Sequence, residues 1–135
     1  TDNTIRKVGY ICGADFFIRK SVIDEVGAFD SDFFLYYEET ELSYRVTQSG
    51  FDSVLIPDVK IIHLYNGSQK EQKSFNYLHF FHYCRGRNLY FKKCHGAFYS
   101  TLVSICYAIG EINLSIVGKR KGNIFKKLGY IFFAK

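Results

Sequence analysis

Tryptophan and methionine are absent from the 135 residues, and proline occurs once. One proline and eleven glycines exclude collagen-like and proline-rich low-complexity chains. Charged residues make up 23% against 47% hydrophobic, which excludes wholesale disorder. Acids are nearly missing from the last forty positions, where Glu111 stands against six bases: Lys119, Arg120, Lys121, Lys126, Lys127 and Lys135. Residues 1–95 hold twelve charges of each sign, so the whole net charge of +5 sits at the end. A nucleic-acid binder carries its positive charge along its main binding face, so this distribution speaks against one. The alternative nucleic-acid face, Arg85, Arg87, Lys92 and Lys93 with nearby tyrosines, is cancelled by the acids of the body and carries no recognition motif.

The four cysteines, Cys12, Cys84, Cys94 and Cys106, form no C-x-x-C pair. The chain is large and apolar enough to build a core without disulfides, so reduced, buried thiols of a cytosolic protein are expected. A zinc site from Cys84, Cys94, His79 and His82 would lack ligand spacing. The chain begins at Thr1 without methionine, and residues 1–7 are polar, with no secretory signal pattern. It reads as a piece of a longer protein.

What is abundant is aromatic, with fourteen phenylalanines and eleven tyrosines. Residues 10–18 read as extended apolar chain interrupted at Gly13, where a glycine marks a bend or a close approach to a ligand. Ser21 and Asp24 have capping-box-like spacing at the start of a short helix that Gly27 ends. A second helix is expected over residues 38–49, with Leu42 and Val46 facing a core and Glu41 and Arg45 paired one turn apart. Residues 53–56 and 59–64 read as short strands around Pro57. Ser74 is expected to cap an aromatic helix reaching about His95. Residues 97–117 approach the length of a membrane span but are diluted by polar residues. Residues 118–135 alternate bases with apolar side chains, the pattern of a helix that lies on a membrane.

Chemistry concentrates in two places. Glu38, Glu39 and Glu41 crowd the first turn of the second helix. Acids there interact well with the helix dipole, and that reading is purely structural. Adjacent carboxylates also raise one another's proton affinity, and a rim of residues 33–37 would lower the local dielectric, so one acid could serve as a general base. His63 ends an apolar strand. It reads either as a satisfied buried histidine or as a metal ligand.

These segments together resemble a known family. Gly13-Ala14-Asp15-Phe16-Phe17-Ile18-Arg19-Lys20, then Glu25-Val26-Gly27-Ala28-Phe29-Asp30-Ser31-Asp32-Phe33-Phe34, then Tyr37-Glu38-Glu39-Thr40-Glu41-Leu42-Ser43-Tyr44-Arg45, then Gly50-Phe51, Pro57 and His63 follow the order seen in family 2 glycosyltransferases. The rhamnosyltransferase-like branch, which builds bacterial surface polysaccharides, is the most similar, and Arg87-Asn88-Leu89-Tyr90 is similar to a further segment of it. The resemblance covers residues 8–95.

The resemblance implies an α/β fold: the C-terminal half of a GT-A (Rossmann-like) glycosyltransferase, followed by C-terminal helices. Residues 1–95 would be the acceptor-side half carrying the catalytic base. Residues 96–135 would be a helical, basic and aromatic tail that associates with a membrane or with itself. Glu39 would be the catalytic base of an inverting transfer, with Glu38 its neighbour. Gly13, Ala14 and Asp15 would form a turn near the donor sugar. His63 would help hold a divalent cation, Mg or Mn, on the donor diphosphate. The partners implied are a nucleotide-sugar donor, a glycan or lipid-linked acceptor, an anionic membrane surface and a second copy of the chain. The expected location is cytoplasmic, peripheral to the inner face of the plasma membrane. Glutamate stands where the family has aspartate at positions 39 and 41, which displaces each carboxylate by one methylene. The family's Asp-x-Asp motif is absent from these residues, so the chain by itself is not expected to catalyse. The alternative is a non-catalytic membrane- or partner-binding module.

Overall fold

The computed structural model describes residues 4–58, 61–62 and 75–134. In chain order the elements are β1 (Arg6–Lys7), α1 (Lys20–Val26), α2 (Glu38–Gln48), β2 (Val54–Leu55), α3 (Tyr77–His95), α4 (Ala97–Ile116) and α5 (Ile124–Phe133). Two compact units divide the chain. The first holds Thr1–Asp32 and Glu38–Gly67, the second Phe33–Tyr37 and Ser68–Lys135.

This architecture corrects the expected α/β fold. A Rossmann-like half needs several parallel strands joined by helical crossovers. The described residues contain one antiparallel pair, Arg6 against Leu55 and Lys7 against Val54. Residues 10–18 do not join it, because Gly13–Asp15 turn into a short 3-10 helix and break the extended run. Val54 and Leu55 do form a strand, but only two residues of it find a partner edge. The second expected strand falls largely outside the described residues. From residue 77 onward the chain is helical almost to its end.

In the first unit, Val22, Leu42 and Val46 form the core, with Phe16, Ile18, Val26 and Phe51 against them. Leu42 and Val46 face inward as their spacing requires. Gly27 ends α1 with φ +81°, a left-handed turn that glycine adopts without strain. Ser21 is not the cap. Arg19 precedes the helix without a side-chain cap, and Lys20 pairs with Asp24 instead at 2.7 Å. Arg45 fills the gap: its guanidinium donates to the carbonyls of Val26 and Ala28, satisfying groups that the end of α1 leaves open.

In the second unit, α3, α4 and α5 enclose Cys84, Ala108, Ile131 and Ala134. Asn76, not Ser74, caps α3, accepting from the His79 N–H at 3.1 Å. Asn123 caps α5 in the same way through Lys126. Ser74 lies outside the described residues. Arg87, 2% exposed, donates to the Ile131 carbonyl at 2.9 Å and to Ser104 Oγ at 3.2 Å. Asn88 donates to the same Ile131 carbonyl at 3.0 Å. The Arg-Asn pair therefore ties α3 to the last turns of α5 and to α4, and Arg87 has no surface on which to meet nucleic acid.

None of the four cysteines forms a disulfide, but only Cys84 is buried; Cys12 and Cys106 are exposed and Cys94 is intermediate. Burial pushes the Cys84 thiol up to about 11. Iodoacetamide at neutral pH is expected to label Cys12 and Cys106 in the folded chain and to reach Cys84 only after denaturation. Peptide mass mapping reads the difference.

Candidate functional site

The acids of α2 separate into two kinds. Glu41 is buried and fully engaged, taking Arg45 Nε on Oε1 at 2.6 Å and Arg45 Nη2 on Oε2 at 2.8 Å. That is the pair expected from the i, i+4 spacing, in its bidentate form. Because the same guanidinium holds the α1 carbonyls, Glu41 is an architectural residue.

Glu38 and Glu39 differ from it. Both are half-buried in the first turn of α2. Glu38 Oε2 is buried and has no hydrogen-bond partner among the described residues. Burial raises the Glu38 carboxyl above its usual range, and the neighbouring charge of Glu39 adds to the rise. A backbone hydrogen bond and the helix N-terminus both favour the anion, so desolvation is the larger effect here.

Gly13 belongs to the same place. A Cβ built on it would lie 3.9 Å from Glu39 Cδ. The 3-10 turn Gly13–Asp15, closed by Asp15 N–H to the Cys12 carbonyl at 3.0 Å, thus sets bare backbone beside the Glu39 carboxyl. Ala14 is exposed and Asp15 half-buried. Asp15 also lines an open, mostly apolar groove of about 750 Å³, with Phe16, Ile18, Val46, Phe51 and Leu55 among its walls. The structure therefore brings Gly13 to Glu39, residues twenty-six positions apart. His63 lies outside the described residues. Among the described residues, no three His, Cys, Asp or Glu side chains gather to hold a metal ion.

The segment just before the acids, expected only as an apolar rim, has an unusual backbone. Tyr36 and Tyr37 have φ of +69° and +71°, a left-handed pair that side chains with a Cβ adopt at a cost. The second unit holds them there. Tyr36 Oη and His79 Nδ1 share a hydrogen bond at 2.9 Å, Tyr37 Oη donates to Tyr83 Oη at 3.3 Å, and Phe34 packs on the His82 ring. Burial, then the Tyr83 hydrogen bond, holds the Tyr37 phenol far above its ordinary range. The Tyr36 backbone lies directly against Gly86 of α3, where a Cβ would come within 2.5 Å of the Tyr36 carbonyl oxygen. One signal was available: Gly86 is an isolated glycine inside a helical pattern, which implies a packing reason.

Comparison with known proteins adds a class to this geometry: over part of its length the chain is similar to a glycosyltransferase. The relative is the N-acetylglucosaminyl-diphospho-decaprenol L-rhamnosyltransferase of Mycobacterium tuberculosis, found in two strains. Identity is 34% over 58 residues, which is 43% of this chain and 19% of the relative. The matched stretch thus spans about a fifth of that protein's length. No protein-family model matches the chain, and no solved structure matches it.

Proposed function

We propose that this chain supplies the base-bearing part of a glycosyltransferase. The enzyme moves a sugar from a nucleotide-sugar donor to a glycan or lipid-linked acceptor in surface polysaccharide synthesis. The observation that carries the proposal is the pairing of the Glu38–Glu39 helix start with the Gly13 turn. It sets a carboxylate beside exposed backbone. The partial likeness to a rhamnosyltransferase acting on a decaprenol-linked sugar supports the lipid-linked acceptor. Assignment to family 2, and to its inverting branch, belongs to the same reading.

Glu39 accepts the proton of an acceptor hydroxyl as that oxygen forms its bond to the anomeric carbon. The bond from that carbon to the nucleoside diphosphate breaks on the opposite face, so the configuration inverts. Burial disfavours charge on Glu38, the neighbour of Glu39. Gly13, with no side chain, keeps the approach to the Glu39 carboxylate unblocked by a Cβ, and Ala14 and Asp15 would continue that turn toward the donor. A divalent cation, Mg or Mn, on the donor diphosphate would neutralise the leaving group, with His63 among its ligands. The described residues alone do not form such a site. The enzyme would work in the cytoplasm, peripheral to the inner face of the plasma membrane.

In the intact enzyme carrying this segment, Glu39→Gln is expected to lower kcat by about 10²–10⁴ while donor KM stays near normal. Glu38→Gln, which keeps the shape of the side chain and removes its charge, is expected to retain most activity. Transfer of labelled sugar to a lipid-linked acceptor measures both. Near-normal turnover of Glu39→Gln would remove Glu39 from the reaction.

A further inference from the structure

The tail was expected to meet a membrane through residues 118–135, but one face of α5 lies inside the second unit. Ile131 and Lys127 are fully buried there, and Leu128 and Tyr130 pack on the core, while Phe125, Phe132 and Phe133 stay exposed. On α4 the exposed apolar residues run the length of the helix. Phe98, Leu102, Ile105, Ile109, Ile112 and Ile116 are all exposed, Ile109 by 54% and Ile116 by 78%. They recur every three or four residues and so share one face. With the exposed positions between them, that face spans about 160° of the helix at 100° per residue, and it carries no charge. Cations bracket it. Lys92 and Lys93 lie at the end of α3, just before α4 begins, and Lys119, Arg120 and Lys121 follow its last turn, all exposed.

We infer that α4 lies along an anionic bilayer surface, its uncharged face in the interfacial layer and the bracketing cations at the lipid headgroups. The inference deepens the proposed function by naming the surface that brings the enzyme to a lipid-linked acceptor, and it rests on that reading only for its purpose.

Two other occupants fit less well. Alone, α4 is long and apolar enough to cross a membrane. Its opposite face, however, is fixed by Arg87 to Ser104 and by Lys127 to Glu111 at 3.1 Å, both buried. Spanning would carry that ion pair into hydrocarbon or tear it apart. A second copy paired through this face would be a helix–helix seam; the six apolar side chains have the three-four spacing of such a seam, yet no flanking charges set its register. Parallel pairing would set Lys119–Lys121 against themselves. Antiparallel pairing would set them against Lys92 and Lys93. Either puts cation against cation, whereas anionic headgroups meet both ends favourably.

The test uses the 135-residue chain and sedimentation with vesicles of phosphatidylcholine, with or without phosphatidylglycerol. Binding is expected to be at least about tenfold stronger with phosphatidylglycerol. The double substitution Ile105→Glu/Ile109→Glu is expected to weaken it by at least about tenfold. Both positions are exposed, and circular dichroism checks that the helices persist. Because the chain has no tryptophan, Ile109→Trp places a single reporter on the face; its emission is expected to shift to the blue on adding anionic vesicles. Unchanged emission, equal binding to both vesicle types, or full binding by the double variant would overturn the inference. A dimer by light scattering that the double variant dissolves, without vesicle binding, would overturn it in favour of a second copy. No arm requires sugar transfer, so a failure of Glu39 as the base leaves this result readable on its own.

Discussion

Lys127→Ala is expected to destabilise the chain by about 3–5 kcal/mol. Lys127 is fully buried and donates to Glu111 Oε2 at 3.1 Å, and Glu111 is itself only 2% exposed. Truncation leaves a buried carboxylate facing Arg120 alone, whose Nε stands 3.5 Å from Oε1 and is half in solvent. It also removes a cation from the face of Phe75, 4.3 Å from the ring centroid. The loss is mainly the cost of an uncompensated charge, not the net worth of the pair. The double variant Glu111→Gln/Lys127→Met is therefore expected to recover most of it, since replacing both charges removes the desolvation that each imposes. Urea unfolding of the single and double variants measures the difference. Equal destabilisation by both would show that packing, and not the unpaired charge, sets the penalty.

Gly86→Ala and Gly110→Ala are expected to act in opposite directions although both lie inside helices. Alanine is preferred over glycine in a helix interior by about 1 kcal/mol, so an unobstructed site gains stability. Nothing lies within 4 Å of a Cβ at Gly110, and the substitution there is expected to stabilise α4 by up to about that amount. At Gly86 the new Cβ would meet the Tyr36 carbonyl oxygen at 2.5 Å and the Tyr36 carbonyl carbon at 3.2 Å. Both are backbone atoms, and they belong to a left-handed residue that cannot step aside without repacking Tyr36 and Tyr37. Overpacking of this kind costs about 1–3 kcal/mol or more, which outweighs the propensity gain. Thermal melts of the two variants should shift in opposite senses. A stabilised Gly86→Ala would show that the Tyr36 loop yields readily.

Much of the candidate site was legible as residue identity and little of it as role. The i, i+4 spacing already paired Glu41 with Arg45, and the structure shows that pair in bidentate form. Only the tertiary structure shows that Glu38 Oε2 is buried without a partner among the described residues. The Arg87-Asn88 pair stood out as part of a resemblance to known transferases. Its visible work is to hold the carbonyl of Ile131, forty-four residues away from Arg87. The tail shows the same limit. Its alternation of bases and apolar residues fixed α5 as amphipathic, but whether the apolar side meets a core or a membrane depends on which neighbour reaches it first.

The sequence by itself determined the helices, because capping residues, glycine stops and the 3.6-residue period act over a few neighbours. It determined the Glu41–Arg45 pair and the acidic start of α2 for the same reason. Only the tertiary structure decided that, among the described residues, Val54 and Leu55 would pair with Arg6 and Lys7 alone and residues 10–18 would not join them, since a strand exists only when another edge comes to it. It also decided that Gly13 stands beside Glu39, that Lys127 is buried against Glu111, and that α4 keeps an uncovered face. Each of these depends on contacts between residues far apart in the chain, whose meeting no local periodicity encodes.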